Sequence, residues 1–417
     1  MTTDYARPAG AAVALPKLLV LDLSRVLAAP YCAQILGDLG ADVAKIERVG
    51  SGDDARHYGV NALPAKDGSR SFDTSFFLSA NRNKKSLTLE YSKPEGRKIL
   101  LDLAARADVL IENFRAGTMK RFGLDYETLR AINPGLIYCS LTGYGQDGPY
   151  ADRPGYDAVF QAQSGLMNVT GQPAGTPGGE PVKIGPSVVD VMAGMNAAIA
   201  VLAALRHRDA TGEGQWIDLA LLDTAIAAAS HAAMEYLISG KTLPRNGNQG
   251  NGGAPANLFQ CSDKSIYLTA GNEAHYKALC SVLRTPELLT DDRFSTIRKR
   301  FENRAVLNPI IAAATQGWPA ADLVKALSSA GVPAGIVNDF EGVFADEHVK
   351  YREVKIAMPH PVAGEISLIA SPLRMSATPP RYTLPPPQLG EHTEEILLEF
   401  LKISPSEVTA LRDAGII

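Results

Sequence analysis

The chain has 417 residues, 46% of them apolar and 21% charged, which is the balance of an ordinary globular protein with room for two or three packed domains. Lys plus Arg number 41 against 45 Asp plus Glu, a net charge of −4 with no basic block, which argues against a nucleic-acid binder working through bulk charge. Cys32, Cys139, Cys261 and Cys280 are too few and too scattered for a disulfide scaffold, and no CxxC spacing offers a metal site; they read as reduced thiols in or near cores.

In chain order, Met1–Pro16 is small, polar and without the continuous apolar stretch of a secretory signal. Lys17–Leu23 is an apolar run suited to a central parallel strand, followed by a helix over Ala28–Leu39 and a strand over Asp42–Glu47. Lys85–Glu90 reads as a strand, Pro94–Ala107 as a helix with Pro in its first turn, and Asp108–Ile111 and Leu136–Leu141 as further strands. This alternation predicts βαβ units and a mostly parallel sheet. From Asp190 to Ser239 the pattern is helical and Ala-rich, interrupted by a turn at Thr211–Gln215. Its most apolar stretch, Val191–Leu205, is shorter than the roughly 20 residues of a bilayer span and reads as a buried helix. Lys241–Pro255 is a glycine-rich loop, Ser265–Thr269 a strand, and Ala274–Leu283, Arg298–Gly317 and Ala320–Ala330 helices. Ser376–Gly390, with Pro379, Pro380 and Pro385–Pro387, is expected to be an extended arm packed on its own protein or on a twin subunit.

Several familiar chemistries fail on spacing. Ser239-Gly240-Lys241-Thr242 lacks the leading glycine of a P-loop, since Glu235 stands there. The first strand runs into Ser24–Pro30 and not into GxGxxG, so a nicotinamide site is unsupported; no GxSxG occurs, and the seven histidines form no metal-ligand pattern. What remains is glycine-flanked and carboxylate-bearing. Leu141–Pro149 follows a strand, where α/β sheets make ligand contacts. Pro154-Gly155-Tyr156-Asp157 comes next, then the loop Thr170–Pro181 with Glu180, then Asp190 ahead of the Ala-rich helix, where a carboxylate also serves as an N-cap.

These segments together resemble the family III CoA-transferases, the formyl-CoA transferase and carnitine CoA-transferase family. The resemblance runs through Val20-Leu21-Asp22, Leu27-Ala28-Ala29-Pro30, Leu36–Val43, Lys45–Arg48, Gly52–Arg56, Asn81–Ser86 and Glu112-Asn113-Phe114. It continues through Gly143–Gln146, Gly155-Tyr156-Asp157, Gly212–Gln215 and Leu389–Thr393. Each piece is weak alone, and the ordered series is specific. The pattern is most similar to members acting on dicarboxylic acids, the succinyl-CoA:glutarate type.

The resemblance implies an α/β protein, with a Rossmann-like large domain built from both chain ends and a smaller central α+β domain. The expected divisions are 15–224 for the N-terminal part of the large domain, 225–330 for the small domain with its linkers, and 331–417 for the return. It further implies an interlocked homodimer and no tightly bound cofactor. The lack of a signal or spanning stretch points to a cytoplasmic location without a membrane partner, the charge balance to no nucleic-acid partner, and the Cys and His spacing to no metal. CoA and acyl-CoA are substrates. The implied reaction moves CoA from an acyl-CoA donor, succinyl-CoA, to a small acid through enzyme-bound anhydride and thioester intermediates. A 2-methylacyl-CoA racemase and a degenerate acyl-CoA-binding protein are the alternatives. Tyr156 stands where the racemases carry His, and a phenol is a poor base at neutral pH.

By position in the family pattern, Tyr144, Asp157 and Asp190 join Glu180 as catalytic candidates. The family's nucleophilic Asp has no counterpart after Thr170-Gly171, and Glu180 is the loop's sole carboxylate, so it is the candidate nucleophile. Arg48, Leu89, Asn113, Phe114 and Arg121 fall where the family contacts CoA. Gly250, Gly252 and Gly253 match a glycine loop over the site, and Leu27 stands where formyl-CoA transferase has glutamine.

Overall fold

The computed structural model describes residues 12–59, 62–64, 70–250 and 252–417. Asn251 of the glycine loop and the first eleven residues lie outside that range. The chain divides into two units, one of residues 1–166, 183–234 and 351–417, the other of 167–182 and 235–350. The divisions thus fall at 234/235 and 350/351, later than the 224/225 and 330/331 expected from sequence. The loop carrying Glu180 also joins the second unit. Two features displace the boundaries: the first cut lies within the helical segment Leu221–Ser239, beyond its kink at Ser230, and the strand Ala334–Ile336 pairs with Ser265–Thr269 in the second unit.

The first unit is organised on six parallel strands in the spatial order Lys84–Thr88, Asp42–Glu47, Leu19–Asp22, Val109–Glu112, Ile137–Thr142, Trp216–Ala220. Numbered along the chain, this is the doubly wound order 3-2-1-4-5-6, which reverses between the first and fourth strands. Successive side chains alternate between two cores. Val20, Val43, Val109, Ile111 and Cys139 pack with helices Ala28–Asp38 and Val188–Thr211. Leu21, Ala44, Ile46, Leu110 and Tyr138 face the other core, which the C-terminal helices Thr393–Leu401 and Pro405–Asp413 close.

Helix Val188–Thr211 is longer than the fifteen-residue stretch expected, and by length and composition it is apolar enough to cross a membrane. Here it packs through Val189, Ala193, Ala197 and Val201 into the first core. A Cβ on Gly194 would lie 2.4 Å from the Ala28 carbonyl oxygen, so glycine is what lets this helix approach helix Ala28–Asp38. Trp216–Ala220, read from sequence as part of an Ala-rich helical region, is instead the edge strand of the sheet. The proline-rich arm has no regular structure and lies along its own unit. Asn83 Oδ1 accepts the Thr383 and Leu384 N–H groups, and Arg56 Nη2 donates to the Pro387 carbonyl at 3.0 Å.

The second unit pairs Ala256–Gln260, Ser265–Thr269 and Ala334–Ile336 antiparallel and covers them with helices Glu273–Leu283, Arg304–Thr315 and Ala320–Ser329 around a core including Phe259, Ile266, Leu268, Leu279 and Leu323. The expected helix over Arg298–Gly317 is two, Ile297–Glu302 and Arg304–Thr315, parted at Asn303. All four cysteines are free and buried.

Candidate active site

In an open parallel sheet the crevice lies beyond the strand C-termini where strand order reverses. Here those ends are Asp22 and Glu112, and Asn113 joins them. Its Oδ1 accepts the Arg25 N–H at 2.8 Å and its Nδ2 donates to the Arg25 carbonyl at 2.7 Å. The next residue, Val26, has φ +71°, a left-handed conformation that a β-branched side chain rarely adopts. Its N–H donates to Asp53 Oδ1 at 2.9 Å, which holds the turn in place.

Beneath this turn lies a buried ionic network. Lys84 Nζ reaches Asp22 Oδ2 at 2.7 Å, the Pro30 carbonyl at 2.8 Å and Asn81 Oδ1 at 3.0 Å, while Lys45 Nζ meets Asp53 Oδ2 at 2.8 Å. Burial pushes the Lys84 ammonium down to about 8 against the attraction of Asp22. For Asp22, burial opposes ionisation, but Lys84 and Lys45 outweigh it and hold the carboxyl below its usual range. Arg56 grips Glu47 with two hydrogen bonds of 2.8 Å. The turn Ser24–Leu27 is thus positioned by charges that pair below it and leave its outer face to the pocket.

That pocket encloses about 240 Å³. Arg25, Leu27, Phe114, Tyr156, Phe160 and Asp190 contribute to its walls, together with Asp54, Tyr58, Arg115 and Arg153. Arg25 pairs with Asp54 at 2.8 Å and stacks over Phe114, 5.0 Å from the ring centre. Arg115 and Arg153 form no ion pair with a described residue. Burial, and secondarily the hydrogen bond with Tyr156, pushes the Tyr58 phenol up to about 12.

Asp157 is buried and acts as the cap of helix Val188–Thr211, which has no side-chain cap of its own. Its Oδ2 accepts the Val189 N–H at 2.7 Å and the Asp190 N–H at 3.2 Å, and Gln161 Nε2 donates to its Oδ1 at 2.5 Å. Asp190 turns its half-buried carboxyl to the pocket without a hydrogen-bonding partner among the described residues. Burial, with the Asp157 charge adding to it, pushes this carboxyl up to about 7. It therefore exchanges a proton near neutral pH.

The structure gathers Leu27, Asn113, Phe114 and Asp190 on this pocket and separates other expected site residues from it. Arg48 is half-exposed, paired with Asp54, and lines a narrower cavity with Phe114 and Tyr91. Leu89 is 1% exposed inside the second core, which removes its side chain from any ligand contact. Arg121 ends the short helix Thr118–Arg121, exposed and bonded to Thr118 Oγ1 at 3.3 Å, away from the pocket walls. Tyr144 also lies off the walls. Its hydroxyl donates to Gln163 Oε1 at 3.0 Å, and its ring meets Phe160 and Tyr150 edge-on at 5.3 and 5.6 Å.

Glu180 belongs to the second unit and is exposed on an ordered loop. The Val182 N–H donates to the Thr170 carbonyl at 3.0 Å, and Arg245 Nη2 donates to the Gly179 carbonyl at 2.8 Å. Gly250, Gly252 and Gly253 are on the same unit; Gly250 N–H donates to the Ala256 carbonyl at 2.9 Å, and buried Arg300 donates Nε–H to the Ala254 carbonyl at 3.1 Å.

Sequence reasoning missed Arg25, Tyr58, Arg115 and Arg153. The signal was adjacent: Arg115 directly follows Glu112-Asn113-Phe114, and Arg153 directly precedes Pro154-Gly155-Tyr156-Asp157.

Residues 15–393 match the model of CoA-transferase family III. The chain is 39% identical over 380 residues to the succinate–glutarate CoA-transferase of Agrobacterium fabrum, covering 91% of this chain and 94% of that one. It is 38% identical over 398 residues to human succinyl-CoA:glutarate CoA-transferase (95% and 88% covered), and 34% identical over 399 residues to the succinyl-CoA–D-citramalate CoA-transferase of Chloroflexus aurantiacus (95% and 96%). Among solved structures, a CAIB/BAIF family protein from Brucella suis superposes with a TM-score of 0.84 at 40% identity, covering 93% of this chain and 99% of that one. A parallel six-stranded α/β unit with an arginine-rimmed pocket at its strand reversal, and relatives of these names along nearly its whole length, make this chain a member of CoA-transferase family III.

Proposed function

We propose that the protein moves CoA from succinyl-CoA to a small dicarboxylic acid. The observation that carries this reading is the pair Arg115 and Arg153, two pocket-lining cations with no carboxylate partner among the described residues. A pocket that keeps unpaired arginines suits substrates that bring their own anions, and the guanidinium fork matches carboxylate and phosphate oxygens. The names of the relatives, acting on glutarate and D-citramalate, point to the same substrate class.

In the proposed reaction an enzyme carboxylate attacks the thioester carbonyl, forming a mixed anhydride and releasing CoA thiolate. The thiolate attacks the enzyme's side of the anhydride, giving an enzyme–CoA thioester and free succinate. The acceptor carboxylate attacks that thioester, again releasing thiolate, which takes the new acyl group and restores the enzyme carboxylate. We assign the nucleophile to Glu180, the loop's sole carboxylate. Asp190 is the second reading, because its carboxyl lines the pocket. A cytoplasmic homodimer with threaded subunits completes the proposal.

Mass spectrometry of CoA esters after mixing the protein with succinyl-CoA and a panel of acids tests the reaction. Glutaryl-CoA is the expected product with glutarate, and unchanged succinyl-CoA across the panel refutes the reading. Peptide mapping of the CoA adduct formed with succinyl-CoA alone separates the nucleophiles. Adduct on Glu180, absent in Glu180→Gln, supports the first assignment; adduct on Asp190 replaces it. Light scattering reports the mass of the assembly.

A further inference from the structure

Arg153 is held in an unusual way for an exposed arginine. Its guanidinium lies 3.6 Å above the centre of the Tyr150 ring. Tyr150 meets Tyr144 edge-on, and Tyr144 meets Phe160, which is fully buried in the core of the first unit. The backbone adds to this ladder, since the Arg153 N–H donates to the Tyr150 carbonyl at 2.9 Å. Stacking engages the face of the guanidinium and leaves its in-plane N–H donors available. No described residue takes them. Of the other two arginines lining the pocket, Arg25 is already paired with Asp54, and Arg115 has no described aromatic ring to hold its guanidinium as Tyr150 holds that of Arg153.

We infer that Arg153 is the residue that reads the second carboxylate of the acid, and so makes the pocket select diacids over monoacids. This rests on the CoA-transfer reading. The donor acyl group and the acceptor occupy the same place in a double-displacement reaction, so one cation serves the free carboxylate of a succinyl group and that of the acceptor. Tyr144 contributes at one remove, as a rung of the support for Arg153.

The test compares glutarate with valerate, a monoacid of the same carbon count, in the full-length protein and its Arg153→Gln, Arg153→Lys and Tyr150→Leu variants. With the wild type as reference, Arg153→Gln lowers the glutarate-to-valerate ratio of kcat/KM by about 10²-fold, the scale of a lost charge-assisted two-point contact. Arg153→Lys, which keeps the charge and loses the fork, falls between, and Tyr150→Leu lowers the same ratio by a smaller factor. A purely structural role moves both acids together; an unchanged ratio in Arg153→Gln overturns the inference. If the wild type makes no new CoA ester, the CoA-transfer reading fails. Saturation-transfer NMR of glutarate and valerate then decides for Arg153: selective glutarate binding lost in Arg153→Gln supports the assignment, and equal binding to both proteins overturns it.

Discussion

Asp157 Oδ2 accepts the backbone N–H of Asp190 at 3.2 Å, so one carboxylate holds the peptide that presents the other. The first is spent on the start of a helix and the second faces the pocket. This is why two acids that looked alike in the sequence have different chemistry. Asp157 is satisfied by two helix N–H groups and Gln161, whereas burial and the Asp157 charge leave Asp190 easy to protonate.

Replacing Asp157 with Ala removes the cap of helix Val188–Thr211 and costs about 1–2 kcal/mol of stability, with Asn losing less. Denaturant unfolding checks this. The Asp190 carboxyl also shifts down toward its ordinary range in Asp157→Ala, because a neighbouring negative charge has gone.

The titration of Asp190 has a definite sign in stability. Its carboxyl is raised to about 7 in the folded protein from 3.8, so between those values the folded chain holds a proton that the unfolded chain has released. Its contribution is fully present below about pH 4 and is lost as pH rises through 7. Asp190→Asn removes this dependence and raises stability at pH 8 by on the order of 1–2 kcal/mol, discounted for partial exposure. A wild-type-like pH slope in that variant contradicts the assignment.

Asp22→Asn strands the buried Lys84 ammonium. Removing one partner of a buried pair typically costs about 3–5 kcal/mol. The Lys84 group then titrates still lower than about 8, since the attraction opposing its burial is gone. A double variant, Asp22→Asn with Lys84→Met, recovers part of the loss, a coupling that a double-mutant cycle measures.

Gly194→Ala places a Cβ 2.4 Å from the Ala28 carbonyl oxygen and forces the two helices apart. Overpacking of this kind costs about 1–3 kcal/mol and appears as a lowered Tm. Ala28 also lines the pocket, so KM for the acid rises in the same variant.

Much of the fold was legible locally. Asp42–Glu47 and Ser265–Thr269 have the limits their sequence predicts, because short β-rich runs bounded by turn residues need little context. Trp216–Ala220 was not legible. As the edge strand of the sheet it leaves Trp216 and Asp218 exposed, so it shows none of the continuous apolar character of its neighbours. Leu89 and Tyr144 show the same limit at the site. The family pattern put Leu89 at CoA and Tyr144 among the catalytic candidates, yet the Leu89 side chain fills a core, and the Tyr144 ring meets Tyr150 edge-on, off the pocket walls.

By itself the sequence determined the family, the α/β alternation and the stretches from which the site is built, since motif order and hydrophobic period are properties of neighbouring residues. Only the tertiary structure decided which side chains share the pocket. A parallel sheet brings together strand ends far apart in the chain, and so Arg25 meets Asn113, Asp157 caps the helix of Asp190, and Arg153 is carried on the ring of Tyr150. Pairing, burial and proton affinity follow from those neighbours, and no local pattern encodes them.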